Sequence, residues 1–110
     1  MNTEITWIAE RELQLQKPSG ENLSITLRIG QPYKADSGEW RCPVALDGLV
    51  PNLPHIAGVD SWQAIQLAQR LQAQLLTSLL KEGELLFYGS PASSQVPVTV
   101  PELFQTLTQL

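Results

Sequence analysis

Leu13-Gln14-Leu15-Gln16-Lys17-Pro18-Ser19-Gly20-Glu21-Asn22-Leu23-Ser24-Ile25-Thr26-Leu27-Arg28-Ile29 is the stretch from which the fold is read. In its second half Leu23, Ile25, Leu27 and Ile29 alternate with Ser24, Thr26 and Arg28 without exception, the two-residue period of a strand with one buried face. In its first half, extended back to Trp7, the residues Trp7, Ala9, Leu13 and Leu15 alternate with Ile8, Glu10, Glu12, Gln14 and Gln16, and Arg11 interrupts the pattern. Pro18-Ser19-Gly20 has the chemistry of a three-residue hairpin loop, because Pro presets the first turn position and Gly accepts the positive φ of the last. That loop sets a register in which Lys17 faces Glu21, Leu15 faces Leu23 and Leu13 faces Ile25. Glu10 then meets Arg28 on the opposite face.

Beyond the hairpin, a loop marked by Pro32, Asp36, Ser37 and Gly38 leads to Trp40, Cys42, Val44 and Leu46, which alternate with Arg41, Pro43, Ala45 and Asp47 as a third strand. Pro43 has no N–H to give a ladder, so it is expected at an edge or a bulge. Residues Gly48 to Gly58 contain Pro51, Pro54 and the only histidine, His55, and read either as a long loop or as a loop feeding a short fourth strand near His55 to Val59.

Asp60-Ser61-Trp62-Gln63 has the capping-box form and opens a helix expected from about Ser61 to Glu82, roughly 33 Å long at 1.5 Å per residue. Ala64, Ala68, Leu71, Leu75 and Leu79 form its apolar stripe, Gln63, Gln66, Arg70, Gln74, Thr77 and Lys81 the opposite one, and Gly83 the stop. An apolar run, Leu85 to Tyr88, is followed by Gly89-Ser90-Pro91 and a Pro-interrupted extended stretch. Pro101 then suits the first turn of a short final helix carrying Leu103, Phe104 and Leu107. The reading is one α+β domain over residues 1–110, with three to four antiparallel strands packed on one long amphipathic helix and a short C-terminal helix.

Of the 110 residues 43% are hydrophobic and 16% charged, an ordinary globular composition. Seven basic and eleven acidic residues give a net charge of −4 with no run of either sign, which disfavours nucleic acid as a partner. The first residues lack the basic and apolar regions of a signal peptide, and no window approaches a membrane span, so a cytoplasmic protein without membrane contact is expected. The single cysteine, Cys42, excludes an internal disulfide; its inward position in the alternation marks it as a small buried apolar residue rather than a nucleophile.

Arg11-Glu12-Leu13-x-Leu15, the strand ending Arg28-Ile29-Gly30-x-Pro32, Trp40-Arg41-Cys42-Pro43 and Gly58-Val59-Asp60-Ser61-x-Gln63-Ala64 together resemble an uncharacterised family of short bacterial proteins. The resemblance runs from about Arg11 to Leu80 and implies no activity. No phosphate loop, nucleophile elbow or metal-ligand spacing occurs, so no catalytic, cofactor or metal residue is assigned. A His55/Asp60 acid–base pair is conceivable from their five-residue separation, but Asp60 serves as the helix cap. Trp7 and Trp40 are expected on the core face, whereas Trp62, in the first helical turn, is a candidate contact residue.

The function this supports is a non-enzymatic protein-interaction module. Trp62, Phe87, Tyr88 and Phe104 form its candidate surface, and the sparsely charged segment Leu85 to Leu110 points to a homodimer. Two alternatives stand beside it: a small acidic inhibitor or immunity-type protein for a basic partner, and a ligand binder or enzyme around His55 and Trp62.

Overall fold

A computed structural model describes residues 4–89 and 96–104. The hairpin has the register that its loop demands. Strands β1 (Trp7–Gln16) and β2 (Asn22–Gly30) pair antiparallel with Leu13 opposite Ile25, Leu15 opposite Leu23 and Glu10 opposite Arg28. Lys17 N–H donates to the Glu21 carbonyl at 2.8 Å, and Gly20 has φ 92° at the turn. On the outer face Arg28 Nε lies 2.5 Å from Glu10 and Nη1 lies 3.3 Å from Asp47. Exposed pairs of this kind contribute only ~0–1 kcal/mol.

The register slips between Trp7 and Ala9, so Trp7 pairs with Gly30. One extra residue at a bulge reverses the face of everything before it. Trp7 is therefore not on the core face, as the alternation implied; it stands on the outer face, where the Arg28 guanidinium lies 5.9 Å from its ring centroid.

The third strand is in fact two. β3 (Tyr33–Lys34), β4 (Trp40–Cys42) and β6 (Ile56–Gly58) form a small sheet in the order β3-β4-β6, while β5 (Val44–Asp47) joins a four-stranded sheet in the order β5-β2-β1-β7, with β7 at Leu85–Tyr88. Pro43 is the residue between β4 and β5, neither edge nor bulge but the point at which the chain changes sheets. Its carbonyl still accepts from Gly30 N–H at 2.8 Å, and a Cβ on Gly30 would lie 2.6 Å from Pro43 Cβ. The fourth strand near His55 exists, as β6.

Helix α1 (Ser61–Leu79) starts where expected: Asp60 Oδ1 accepts from Gln63 N–H at 2.8 Å, and Gln63 Oε1 in turn accepts from Val59 N–H at 2.8 Å. It ends before Glu82, because Leu80 turns extended to pack against the core of the large sheet, and Gly83 (φ 87°) serves the following turn. Val98 bridges Leu86, and α2 (Val100–Leu103) carries a complete capping box between Thr99 and Glu102. Ser90, Pro91 and Leu107 lie outside the described residues.

The buried face of α1 also differs from the expected stripe. Ala64, Ala68, Gln72 and Leu76 are its buried residues, Leu71 and Leu75 are half-buried, and Leu79 is exposed. Spacing of four rather than alternating three and four rotates the buried line by one position, and two cores cause it. The first half of the helix packs on Ile29, Cys42 and Val44 through Ala64 and Ala68; the second half packs on Leu13, Leu15, Ile25, Leu27 and Leu46 through Leu76. Gln72 falls between them, and its Nε2 donates to the carbonyls of Arg28 and Ala45, cross-strand partners on β2 and β5, at 3.0 Å each.

The rotation makes a ranking. Leu76→Ala, at a fully buried site, is expected to cost about 2–5 kcal/mol. Gln72→Ala, which leaves two inward carbonyls without their donor, should cost about 1–3 kcal/mol. Gln74→Ala, on the exposed side, should stay within about 0.5 kcal/mol. Urea melts of the three variants check the order, and a Gln74 variant as damaging as the Leu76 variant would contradict it.

Candidate functional site

The small sheet decides what the site is made of. Trp40 and Cys42 alternate inward toward Ala64 and Ala68, so Arg41 between them points away from α1. Tyr33 and Ala57 are the cross-strand partners of Arg41, and share that outward face; His55, two residues before Ala57, follows the same parity. The consequence is a contact between residues 22 positions apart: Tyr33 Oη and His55 Nδ1 are 2.6 Å from each other, with ring centroids 5.5 Å apart and planes at 78°. The phenol donates to Nδ1 when the imidazole proton sits on Nε2, and the direction reverses in the other tautomer. Beside the pair lies an open pocket of about 260 Å³, lined by Pro32, Pro43 and the segment Glu4 to Thr6. His55 therefore has Tyr33 as its partner, and Asp60, occupied as the α1 cap, does not pair with it.

At the other end of β4, Glu39 accepts from Ser37 Oγ at 2.5 Å and from Arg41 Nε at 2.9 Å. The Ser37 hydroxyl, then the Arg41 guanidinium, hold the Glu39 carboxyl down at about 2, and Glu39 in turn raises Arg41. Burial pushes the Cys42 thiol up to about 11. Its Sγ faces the carbonyls of Gly30 at 3.6 Å and Pro43 at 3.4 Å. Among the described residues no three His, Cys, Asp or Glu side chains converge as a metal site.

The chain belongs to a family of domains of unknown function (DUF6968). The family model matches residues 9–99, from β1 through the residue before α2, so both sheets, α1 and the Tyr33–His55 pair are family territory. Neither the curated proteins nor the solved structures gave a match. No described helix is long and apolar enough to cross a membrane.

The four residues expected to form one surface are distributed over the domain. Trp62 is 74% exposed in the first turn of α1, three residues from Val59 at 79%. Phe87 is buried, and Tyr88 and Phe104 flank Arg11 instead. Arg11, the residue that interrupts the β1 alternation, lies on the core face at the sheet's end. Its Nη1 donates to the Leu103 carbonyl at 2.7 Å and its guanidinium lies 5.4 Å from the Tyr88 ring centroid, so it fastens α2 to β1 and β7. Sequence reasoning did not find Tyr33. Its signal was the Ala35 to Glu39 turn, which places Tyr33 opposite Arg41 once β3 is recognised.

The thiol's surroundings are directly testable. In the native protein Cys42 should resist an aromatic disulfide reagent at about pH 8, where a thiol of ordinary pKa near 8.5 reacts, and should titrate as one thiol in denaturant. Rapid labelling without denaturant would show that the β4–β5 junction opens.

Proposed function

We propose that the domain is a non-enzymatic protein-interaction module that self-associates through the start of α1. The observation that carries this is the exposure of Val59 and Trp62, two large apolar side chains three residues apart in sequence, at 79% and 74%. A tryptophan held in a regular helix yet out in water buries apolar area on contact without first having to be ordered. From Gly58 to Gln69 the sole formal charge is Asp60, so the surface around Trp62 desolvates at low cost. β6, directly before it, is the edge of the small sheet and pairs with β4 on one side. A two-fold contact, in which Trp62 of each copy packs on Val59 of the other, uses all of these features at once.

The support differs from what composition alone implied. The described part of the C-terminal segment has a host in its own chain: Leu86 and Leu103 are buried in the large-sheet core, with Val98, Val100 and Phe104 packed against it. Leu85, Tyr88 and Val96 of the same segment remain exposed, but Trp62 offers the larger apolar side chain in a sparsely charged setting, and the proposal rests on it. The proposal places the protein in the bacterial cytoplasm, since its motifs resemble those of short bacterial proteins and a buried reduced thiol suits a reducing compartment.

Light scattering at micromolar concentration is expected to report about twice the 12.2 kDa chain mass. Trp62→Ser should return it to the single-chain mass with an unchanged far-ultraviolet circular dichroism spectrum, and its melting temperature should no longer depend on protein concentration. A wild-type protein that stays at 12.2 kDa at every concentration would overturn self-association. A Trp62→Ser protein that remains a dimer would overturn the surface.

A further inference from the structure

The pocket beside Tyr33 and His55 lies apart from the Trp62 surface, and its walls define a ligand. Ile5, Pro32 and Pro43 give it an apolar lining, Tyr33 an aromatic wall, and among the described residues that line it Glu4 carries the formal charge. The Arg41 guanidinium, which lies near the Tyr33 hydroxyl, is engaged by Glu39. The carboxylate of Glu4 disfavours an anion, whereas a cation meets Glu4 beside the Tyr33 ring, with the Arg41 charge already taken up by Glu39. The Tyr33–His55 bond adds an acceptor: when His55 Nδ1–H donates to the Tyr33 oxygen, Nε2 keeps its lone pair. At about 260 Å³ the space is below the usual range for drug-sized ligands, about 300–1,000 Å³, and suits a short chain of a few carbons.

We propose that this pocket binds an alkylammonium group, with the ammonium between Glu4, His55 and the Tyr33 ring and the alkyl stem along Ile5, Pro32 and Pro43. A free primary amine and a lysine side chain carry the same chemistry. Because Trp62 plays no part, the proposal is independent of the oligomeric state.

His55 is the only histidine, so its imidazole C–H signals in proton NMR form a single, self-identifying probe. The full-length chain at neutral pH is titrated with n-butylammonium, Nα-acetyl-lysine methylamide and, as the anionic control, butyrate. Saturable shifts of the His55 signals by one or both amines, and none by butyrate, are expected. Tighter binding of the lysine derivative assigns a protein-borne lysine; tighter binding of butylammonium assigns a free amine. Glu4→Gln should weaken amine binding by about tenfold, the loss of one charge-assisted contact, and Tyr33→Leu, which removes the ring, should weaken it likewise, with melting curves showing that both variants fold. No saturable shift with either amine, an equal response to butyrate, or undiminished binding by Glu4→Gln overturns the proposal.

Discussion

A proline cannot donate to a β-ladder, and Pro43 sits where β4 runs on into β5. On one side of it the chain pairs within the small sheet; on the other it pairs with β2 in the large one. The junction is held by the backbone bond from Gly30 N–H to the Pro43 carbonyl and by contact too close for any side chain at residue 30. Everything that distinguishes this domain from a plain helix on a sheet follows from that division. Two sheets mean two cores, and one helix has to serve both.

The helix does so by changing what it buries along its length. Alanines at 64 and 68 let α1 approach β4 and β6 closely, and Leu76 reaches into the wider space over the large sheet. Between the two cores an apolar side chain would face the inward carbonyls of Arg28 and Ala45, and Gln72 answers them with its two amide hydrogens. A buried polar group is tolerated only where its partners are present, so this glutamine ties the helix to one position over the β2–β5 pair. Arg11 plays the equivalent part at the far end, where an apparently misplaced charge on the core face meets the Leu103 carbonyl and the Tyr88 ring. Both residues violate the local apolar pattern. Both are joints between elements.

The same division creates the two surfaces for which function is proposed. Splitting off β3-β4-β6 gives the domain a second outward sheet face, on which Tyr33 and His55 meet, and a free edge at β6 from which the chain turns into α1 with Val59 and Trp62 in solvent. The candidate pocket depends on Pro43 in the literal sense that the proline forms part of its wall. Trp62 was legible because the capping residue Asp60 fixes which turn it occupies. The histidine was legible as the only one in the chain, but not its partner: a pair 22 residues apart has no signature in periodicity, and depends on β3 and β6 both flanking β4.

The sequence alone determined the α+β class, the hairpin and its register, the start of α1 and the existence of the C-terminal helical turn. Each of these rests on interactions within a few residues: alternation, a Pro-Ser-Gly loop, the cap at Asp60 and Pro101 in the first turn of α2. Tertiary structure decided the rest. The bulge that turns Trp7 outward, the division of Trp40 to Asp47 between two sheets, the burial of Gln72, the retention of Leu86 and Leu103 in their own core and the Tyr33–His55 contact all depend on which distant backbone arrives alongside. Local propensity specifies a strand or a helix, but the partner of each N–H, carbonyl and apolar face is a property of the packed chain, because those groups are satisfied only by what folding brings within a few ångströms.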